Sequence, residues 1–243
     1  MTIENKRTSG EMKTYNHLFF DLDHTLWDFE ANARATLSEL HTSMNLHERG
    51  ITDFDLFHKN YLAHNEKLWE RYRKGFIRQE ELRLKRMTLA LLDFKIADEK
   101  LARDLSVQFL DLLPTRTLLF PHTIEILKYL VDKGYQLHLI TNGFEVTQRS
   151  KMKHSGLDIF FKEIITSECS NSLKPQKEIF EFALRRSGAK PEDSIMIGDS
   201  VEVDIDGARM AGIDQVFVNH LCVDCDANAT YEIRSLKELE TIF

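Results

Sequence analysis

The stretch FFDLDHTL, residues 19–26, ends an apolar run with two aspartates. Asp21 and Asp23 stand two positions apart, and Thr25 follows two positions later. A strand that has only reached solvent and turned is the simplest explanation. Two carboxylates with a shared catalytic task are the alternative, because residues two apart in an extended chain share a face. The rest of the sequence decides between these interpretations.

The bulk composition narrows the class of protein. The chain has 243 residues and a net charge of -7, so no overall positive field attracts a nucleic-acid polymer or an acidic membrane. No apolar run approaches the roughly 18 residues that cross a bilayer, and residues 1–14 form a polar extension without a signal sequence. The three cysteines, Cys169, Cys222 and Cys225, suit a reducing cytoplasm. We therefore expect a cytoplasmic protein, either a monomer or a dimer.

The pattern along the chain predicts an α/β fold with a helical insertion. The apolar run HLFF reads as a buried strand, and after Pro114 strand and helix patterns alternate to the end of the chain. This alternation predicts a doubly wound parallel sheet. Four stretches with helical spacing fill the region between. The predicted core is therefore 15–28 plus 114–243, and the predicted all-helical domain is 29–113.

Two segments near the end of the chain are predicted as helices. They are VDIDGARMAG, residues 203–212, and the closing segment SLKELETIF, residues 235–243. Ser200 is expected to cap the first of them.

Polar groups of a consistent kind follow the predicted strands. Thr141 and Asn142 follow LHLI, Lys174 lies downstream of EIITS, and Asp199 follows SIMIG, with Asp204 five residues later. Ligands of open α/β sheets bind beyond the carboxyl ends of the strands. Phosphoryl transfer with a divalent metal needs such a set: two carboxylates, a hydroxyl with an amide, a fixed cation and further carboxylates.

Each group has an expected role in that chemistry. Asp21 attacks phosphorus, and Asp23, whose proton affinity a neighbouring charge should raise, acts as acid and then as base. The Thr141 hydroxyl and the Asn142 backbone amide hold a phosphoryl oxygen, and Lys174 neutralises developing charge and assists catalysis. The expected oxygen ligands of Mg²⁺ are Asp21, the backbone carbonyl of Asp23, Asp199 and Asp204.

These residues, in this order, resemble the haloacid dehalogenase-like (HAD) hydrolase superfamily. Its motifs DxDxT, a strand-end Thr, a Lys and GDSxxxD appear here as DLDHT, Thr141 in ITNG, Lys174 in SLKPQKEIF, and GDSVEVD. The resemblance implies a Rossmann-like core, a helical cap over it, and an Mg²⁺-dependent phosphatase with an aspartyl-phosphate intermediate. Asp23 favours a phosphatase because the dehalogenases of the family lack this aspartate.

A weaker resemblance concerns the substrate, a small phosphorylated metabolite. FFDLDHTLWDF and NEKLWERYRKGFIRQEEL look most like the branch that hydrolyses pyrimidine nucleoside 5′-monophosphates. A sugar-phosphate or phosphoglycolate phosphatase is the alternative within enzymes, and a non-catalytic binding or regulatory protein on the same scaffold is the alternative outside them.

Several residues admit two interpretations. Asp204 is either a metal ligand or an exposed residue of a helix, and Trp27, Trp69 and Tyr72 either stack on a base or belong to the core. The spacing Cys222-Val-Asp-Cys225 has only His220 nearby as a further zinc ligand. His24 and His122 stand where the family commonly has glycine.

Overall fold

The computed structural model describes residues 13–225 and 227–243, which form two compact units. The α/β unit holds Leu118–Phe243 with the described residues up to Asp28, and the helical unit is Phe29–Thr117. Most of the predicted N-terminal extension, residues 1–14, lies outside the described residues. Within the described part of the chain, no helix is both long and apolar enough to span a membrane.

The described residues of the α/β unit form six parallel strands in the order β3-β2-β1-β4-β5-β6. Their bounds are β1 His17–Phe20, β2 Gln136–Thr141, β3 Glu163–Thr166, β4 Ser194–Gly198, β5 Asp214–Val218 and β6 Tyr231–Ile233. The prediction of a doubly wound parallel sheet is confirmed. The first strand lies in its middle, between β2 and β4. β6 was not predicted from the sequence, because this strand has only three residues and only its last one, Ile233, is buried.

The central strands of the sheet are in register and covered by apolar side chains, with Phe20 paired to Leu139 and to Ile197. β1 and β4 are buried along their whole length, as expected for parallel strands covered on both faces. Phe19, Ile140 and Met196 pack with Ile179 and Phe180 in one apolar cluster. The strands therefore end side by side, and the polar residues after them are brought to one edge of the sheet.

The helices of the α/β unit alternate with its strands as predicted, with three differences: a short helix directly after β3 was not predicted, and two predicted segments differ in helix type. Their bounds are α5 Thr123–Asp132, α6 Glu145–Ser155, α7 Ser167–Ser170, α8 Lys177–Ser187 and α9 Gly207–Met210. The helix predicted over 203–212 begins as a wide π turn, Val201–Asp206, which Ser200 caps as expected. The closing segment is a 3₁₀ helix, Leu236–Thr241, capped by Ser235.

The helical unit contains the four helices that the spacing predicted. They are α1 Phe29–Ser43, α2 Phe54–Arg73, α3 Gln79–Leu92 and α4 Glu99–Leu112. Residues 114–117 were predicted in the α/β core but belong to this unit. Arg116 explains the difference, because it donates to the Thr36 hydroxyl at 3.1 Å and pairs with Glu39 at 2.5 Å.

The aromatic residues considered for stacking have different positions. Trp27 is fully buried in the α/β unit, which supports the core interpretation for it. Trp69 and Tyr72 lie on α2 and meet edge to face with their ring centroids 5.7 Å apart.

Two histidines are buried within the sheet. His17 Nδ1 lies 3.1 Å from His138 Nε2, and the ring of His138 also stacks on Phe19 at 4.9 Å. Burial, together with nearby His17 and Lys162, lowers the pKa of His138 to about 4. His138 is therefore neutral in the folded chain at pH 7.

The lowered pKa of His138 predicts that its contribution to the free energy of unfolding is lost in mild acid. Because the pKa of His138 is about 4 in the fold and about 6.5 when unfolded, its contribution is present above pH 6.5 and is lost as the pH falls towards 4. Relative to the parent, His138→Leu should lose about 2 kcal/mol less of its unfolding free energy between pH 7 and pH 4.5. Urea titrations measure this difference, with His154→Leu, at the surface, as the control. Equal losses in the parent and in His138→Leu would contradict the prediction.

Candidate active site

The predicted polar residues meet at the carboxyl ends of the central strands. Asp21 directly follows β1, and its backbone N–H donates to the carbonyl of Ile197 in β4 at 2.9 Å. Thr141 is the last residue of β2, and Asp199 directly follows β4. Parallel strands place such residues at one edge, where α/β sheets bind their ligands.

Lys174 lies at the centre of this edge and is 1% exposed. Its ammonium donates to Asp21 Oδ1 at 2.5 Å, to Asp204 Oδ1 at 2.6 Å and to the carbonyl of Ile140 at 2.7 Å. These three bonds use all three ammonium protons. Burial alone would lower the pKa of Lys174, but the two carboxylates outweigh burial and raise it, so this side chain is a fixed positive charge.

Asp21, Asp199 and Asp204 form a cluster whose carboxylate oxygens lie within 4.8 Å of one another. Asp199 accepts a hydrogen bond from the Thr25 hydroxyl at 3.0 Å, and Asp204 accepts one from the Ser200 backbone N–H at 3.1 Å. Asp204 is 1% exposed, so the alternative of an exposed helix residue is wrong. Its bonds to Lys174 and Ser200 hold it inside the π turn.

The charge of this cluster fits a divalent cation. Three carboxylates surround one ammonium, which leaves two negative charges when all three are ionised. Burial together with the neighbouring carboxylates raises the pKa of Asp21 to about 8, and burial with Asp204 raises that of Asp199 to about 7. Carboxylate oxygens are the ligands that Mg²⁺ prefers. A Cβ at Gly198 would lie 2.5 Å from the Asp204 carboxyl group, which explains the glycine of the GDS segment.

Asp23 lies outside this cluster and has different partners. Its carboxylate accepts from Lys151 Nζ at 2.5 Å and from Gln148 Nε2 at 2.9 Å. Burial raises the pKa of Asp23, but the ion pair with Lys151 and these hydrogen bonds outweigh burial and lower it. The expectation of a raised proton affinity at Asp23 is therefore wrong, because Lys151 supplies a positive charge that the sequence analysis did not foresee. The role of its backbone carbonyl as a metal ligand stays a prediction.

Thr141 and Asn142 are held by local hydrogen bonds. The Thr141 hydroxyl accepts from Gln148 Nε2 at 2.7 Å and from the Gly143 N–H at 3.1 Å. The Asn142 side chain donates to the Lys174 carbonyl at 2.9 Å and accepts from the Lys174 N–H at 2.7 Å. We expected only the backbone amide of Asn142 to matter. Its side chain instead clamps the chain segment that carries Lys174.

Sequence reasoning missed Gln148 and Lys151. Both lie on α6, are three residues apart and are almost completely buried, at 0% and 3% exposure. Lys151 also lies over the ring of Trp27, 4.3 Å from its centroid. Helical spacing puts residues three apart on one face. However, EVTQRSKMKHS is polar all around, so its pattern does not indicate which face is buried.

The two histidines at family glycine positions share one backbone conformation. His24 has φ 66° and His122 has φ 67°, the left-handed region that residues with a Cβ rarely adopt. The glycine preference at these positions is therefore a backbone requirement.

The described residues form no zinc site around the cysteine pair. Cys222 and Cys225 are free and exposed, and among the described residues the only cluster of three or more metal-ligating side chains is the one at Asp21. His220 is engaged elsewhere, because its Nε2 lies 3.1 Å from the Thr25 carbonyl oxygen and its ring stacks on Phe120 at 4.0 Å.

Comparisons with known proteins agree with this geometry. A sequence profile described as haloacid dehalogenase-like hydrolase matches residues 15–212. The pyrimidine 5′-nucleotidase PynA of Streptococcus pneumoniae is 31% identical over 228 residues, which cover 93% of each chain. A glyceraldehyde 3-phosphate phosphatase of Methanothermobacter thermautotrophicus is 44% identical over 100 residues, 41% of this chain and 44% of that one.

A solved structure has a similar fold. The HAD-hydrolase YfnB of Bacillus subtilis, described as bound to magnesium and as revealing interdomain movement, superposes with a TM-score of 0.84 and 29% identity. The match covers 95% of this chain and 99% of that chain.

The carboxylate cluster predicts a metal-dependent response of stability to pH. In EDTA the contribution of this cluster to the melting temperature should fall as the pH rises from 5 to 8, opposite in sign to that of His138, because the raised pKa values of Asp21 and Asp199 make their ionisation unfavourable in the fold. Mg²⁺ should raise the melting temperature most at pH 8, by about 3 °C or more. Scanning fluorimetry with and without Mg²⁺ measures both effects.

Two variants identify the source of this response. Asp199→Asn should melt higher than the parent in EDTA at pH 8 and should lose most of the shift with Mg²⁺. Asp206→Asn is the control, because this residue pairs with Arg209 and lies outside the cluster. An unchanged Mg²⁺ shift in Asp199→Asn would exclude the cluster as the metal site.

Proposed function

The chain belongs to the haloacid dehalogenase-like hydrolases and is a phosphatase; from that premise we propose that it is an Mg²⁺-dependent phosphomonoesterase that forms an aspartyl-phosphate on Asp21. The observation that carries this proposal is the contact of buried Lys174 with Asp21 and Asp204 beside Asp199, a site that carries two negative charges when its three carboxylates are ionised and that a divalent cation would neutralise. The relatives named as phosphatases leave the alternative of a non-catalytic binding protein without support.

The first step is an in-line displacement at phosphorus. Lys174 binds Oδ1 of Asp21, so Oδ2 is the oxygen assigned to the attack. The bond from Asp21 to phosphorus forms, the bond from phosphorus to the leaving oxygen breaks, and that oxygen takes a proton from Asp23. Lys174 stays beside Asp21 and offsets the negative charge of the transferring group. Asp21, Asp199 and Asp204 would hold Mg²⁺, which would supply positive charge that stabilises the negative charge of the phosphoryl group.

The second step returns Asp21 to its free form. Asp23, now an anion, takes a proton from water, the water oxygen attacks phosphorus, and the bond to Asp21 breaks to release inorganic phosphate. The pair with Lys151 suits this step, because it favours the anionic form of Asp23. In the first step the negative charge of the bound phosphate offsets Lys151 and restores the affinity of Asp23 for its proton.

The Thr141 hydroxyl and the Asn142 backbone N–H are the proposed donors to a phosphoryl oxygen. Support for Thr141 comes from its position at the end of β2, where its hydroxyl oxygen accepts hydrogen bonds from the Gly143 N–H and from Gln148 Nε2. Such a hydroxyl has its own proton left to donate.

A nucleoside 5′-monophosphate, with a pyrimidine base first, is the proposed substrate. The alignment with the pyrimidine 5′-nucleotidase covers 93% of this chain and therefore includes most of the helical unit. The stronger identity with the glyceraldehyde 3-phosphate phosphatase covers only 41% of the chain, which makes a sugar phosphate the second candidate. The helical unit would act as the cap that selects the leaving group.

The proposed setting is the cytoplasm, with small metabolites rather than nucleic-acid polymers or membranes as partners. The net charge of -7 and three unpaired cysteines support it. Both a monomer and a dimer are compatible with the chain.

The proposed nucleophile predicts a specific pattern of trapped intermediates. Asp21→Asn should lower kcat on para-nitrophenyl phosphate with Mg²⁺ by at least about 1,000-fold, because an amide oxygen is a poor nucleophile. Acid quench with ³²P-labelled substrate should leave hydroxylamine-labile label on the parent and none on Asp21→Asn. Asp23→Asn should accumulate label, since its second step lacks a base. Asp132→Asn, at the surface, is the folding control, and full activity of Asp21→Asn would refute the mechanism.

The substrate proposal predicts an order of kcat/KM values. With Mg²⁺, pyrimidine nucleoside 5′-monophosphates should be hydrolysed at least about tenfold more efficiently than glyceraldehyde 3-phosphate or phosphoglycolate. Release of inorganic phosphate measures every substrate in one assay. Efficient turnover of sugar phosphates with no turnover of nucleotides would replace the first candidate with the second.

A further inference from the structure

We propose that Gln148 is a positioning residue that orients the Thr141 hydroxyl and the Asp23 carboxylate together. One side chain would then set both the phosphate-binding donor and the proton-transferring group. The inference deepens the proposed function and rests on it for the roles of Thr141 and Asp23.

The first observation is that a single nitrogen contacts both groups. Gln148 Nε2 lies 2.9 Å from Asp23 Oδ2 and 2.7 Å from Thr141 Oγ1, and the residue is completely buried. The nitrogen end of the amide faces Asp23, whose Oδ2 accepts this hydrogen bond. Its two protons are then divided, one to each partner.

The second observation concerns the direction of the Thr141 hydroxyl. Its oxygen accepts from Gln148 Nε2 and from the Gly143 N–H at 3.1 Å, which fills both acceptor positions. Its own proton can therefore only be donated onward. If the residue at position 148 were an acceptor, the Thr141 hydroxyl would donate its proton to that residue and could not donate it to a phosphoryl oxygen.

The third observation is that Gln148 is fixed in this orientation. A Cβ on Gly143 would lie 2.3 Å from the Gln148 side chain, so the glycine of ITNG makes room for it. Gln148 Oε1 is buried and has no hydrogen-bond partner among the described residues. Burying an unpartnered acceptor is unfavourable. The side chain thus keeps an orientation that uses both its N–H groups and leaves its carbonyl unsatisfied.

The test compares Gln148→Glu and Gln148→Met with the parent. Glutamate has the same shape but cannot donate when ionised, and methionine removes both donors. The readouts are the dissociation constant for inorganic phosphate with Mg²⁺, measured by calorimetry, and kcat/KM for an aryl and an alkyl phosphate ester. Lys153→Met, exposed on the same helix, is the control.

Positioning predicts a pattern that a general loss of structure would not produce. Gln148→Glu should weaken phosphate binding at least about tenfold, and more than Gln148→Met does. Both variants should lose at least about tenfold more kcat/KM on the alkyl ester than on para-nitrophenyl phosphate, because only the poor leaving group depends on a proton from Asp23. Equal losses on both esters with unchanged phosphate affinity would overturn the proposal.

A double-mutant cycle covers the case in which one variant folds poorly. In a Thr141→Val background, Gln148→Glu should cause little further loss of phosphate affinity, because the hydroxyl that it reverses is gone. Full additivity would refute the coupling. If the parent hydrolyses no phosphate ester with Mg²⁺, the proposed function fails, while the phosphate-binding comparison still tests Gln148.

Discussion

The buried ammonium of Lys174 is the charge on which the arrangement of this site depends. It donates hydrogen bonds to Asp21, to Asp204 and to the carbonyl of Ile140, and so connects three separate parts of the chain. Removing one partner of such a buried set leaves an uncompensated charge, which is strongly unfavourable. The Asn142 side chain fixes the backbone of Lys174 by hydrogen bonds to both its carbonyl and its N–H. The apolar strands bring these groups together, and the positive charge of Lys174 offsets the cost of burying the carboxylates of Asp21 and Asp204.

A second ammonium divides the site into two electrostatic environments. Asp21 lies among other carboxylates, which with burial raise its pKa to about 8, whereas Lys151 lowers the pKa of Asp23. Two aspartates only two residues apart thus have pKa values shifted in opposite directions. Groups whose surroundings separate their pKa values in this way are suited to different roles. This separation supports the proposed roles, in which Asp21 binds phosphorus and a cation and Asp23 exchanges protons.

The part of this site that could be predicted from the sequence consists of polar residues directly after recognisable strands. Strand ends in a parallel sheet converge, so Asp21, Thr141 and Asp199 could be grouped without coordinates. Gln148 and Lys151 could not, because they act through the face of a helix whose pattern is polar all around. The raised proton affinity expected for Asp23 was wrong for the same reason. Tertiary contacts also decided the π turn, the short strand β6 and the boundary near Thr117.

Close contacts with polar side chains of the site also explain two glycines of the motif segments, Gly143 and Gly198. At Gly198 and Gly143 the space of a Cβ is taken by Asp204 and by Gln148, and neither glycine has a left-handed φ. Their role is therefore to let a polar side chain approach the backbone closely. Each neighbour belongs to a group that the site must hold rigid before substrate binds. Fixed donors and charges of this kind need little rearrangement during the reaction, which is how an enclosed polar site stabilises a developing negative charge better than water does.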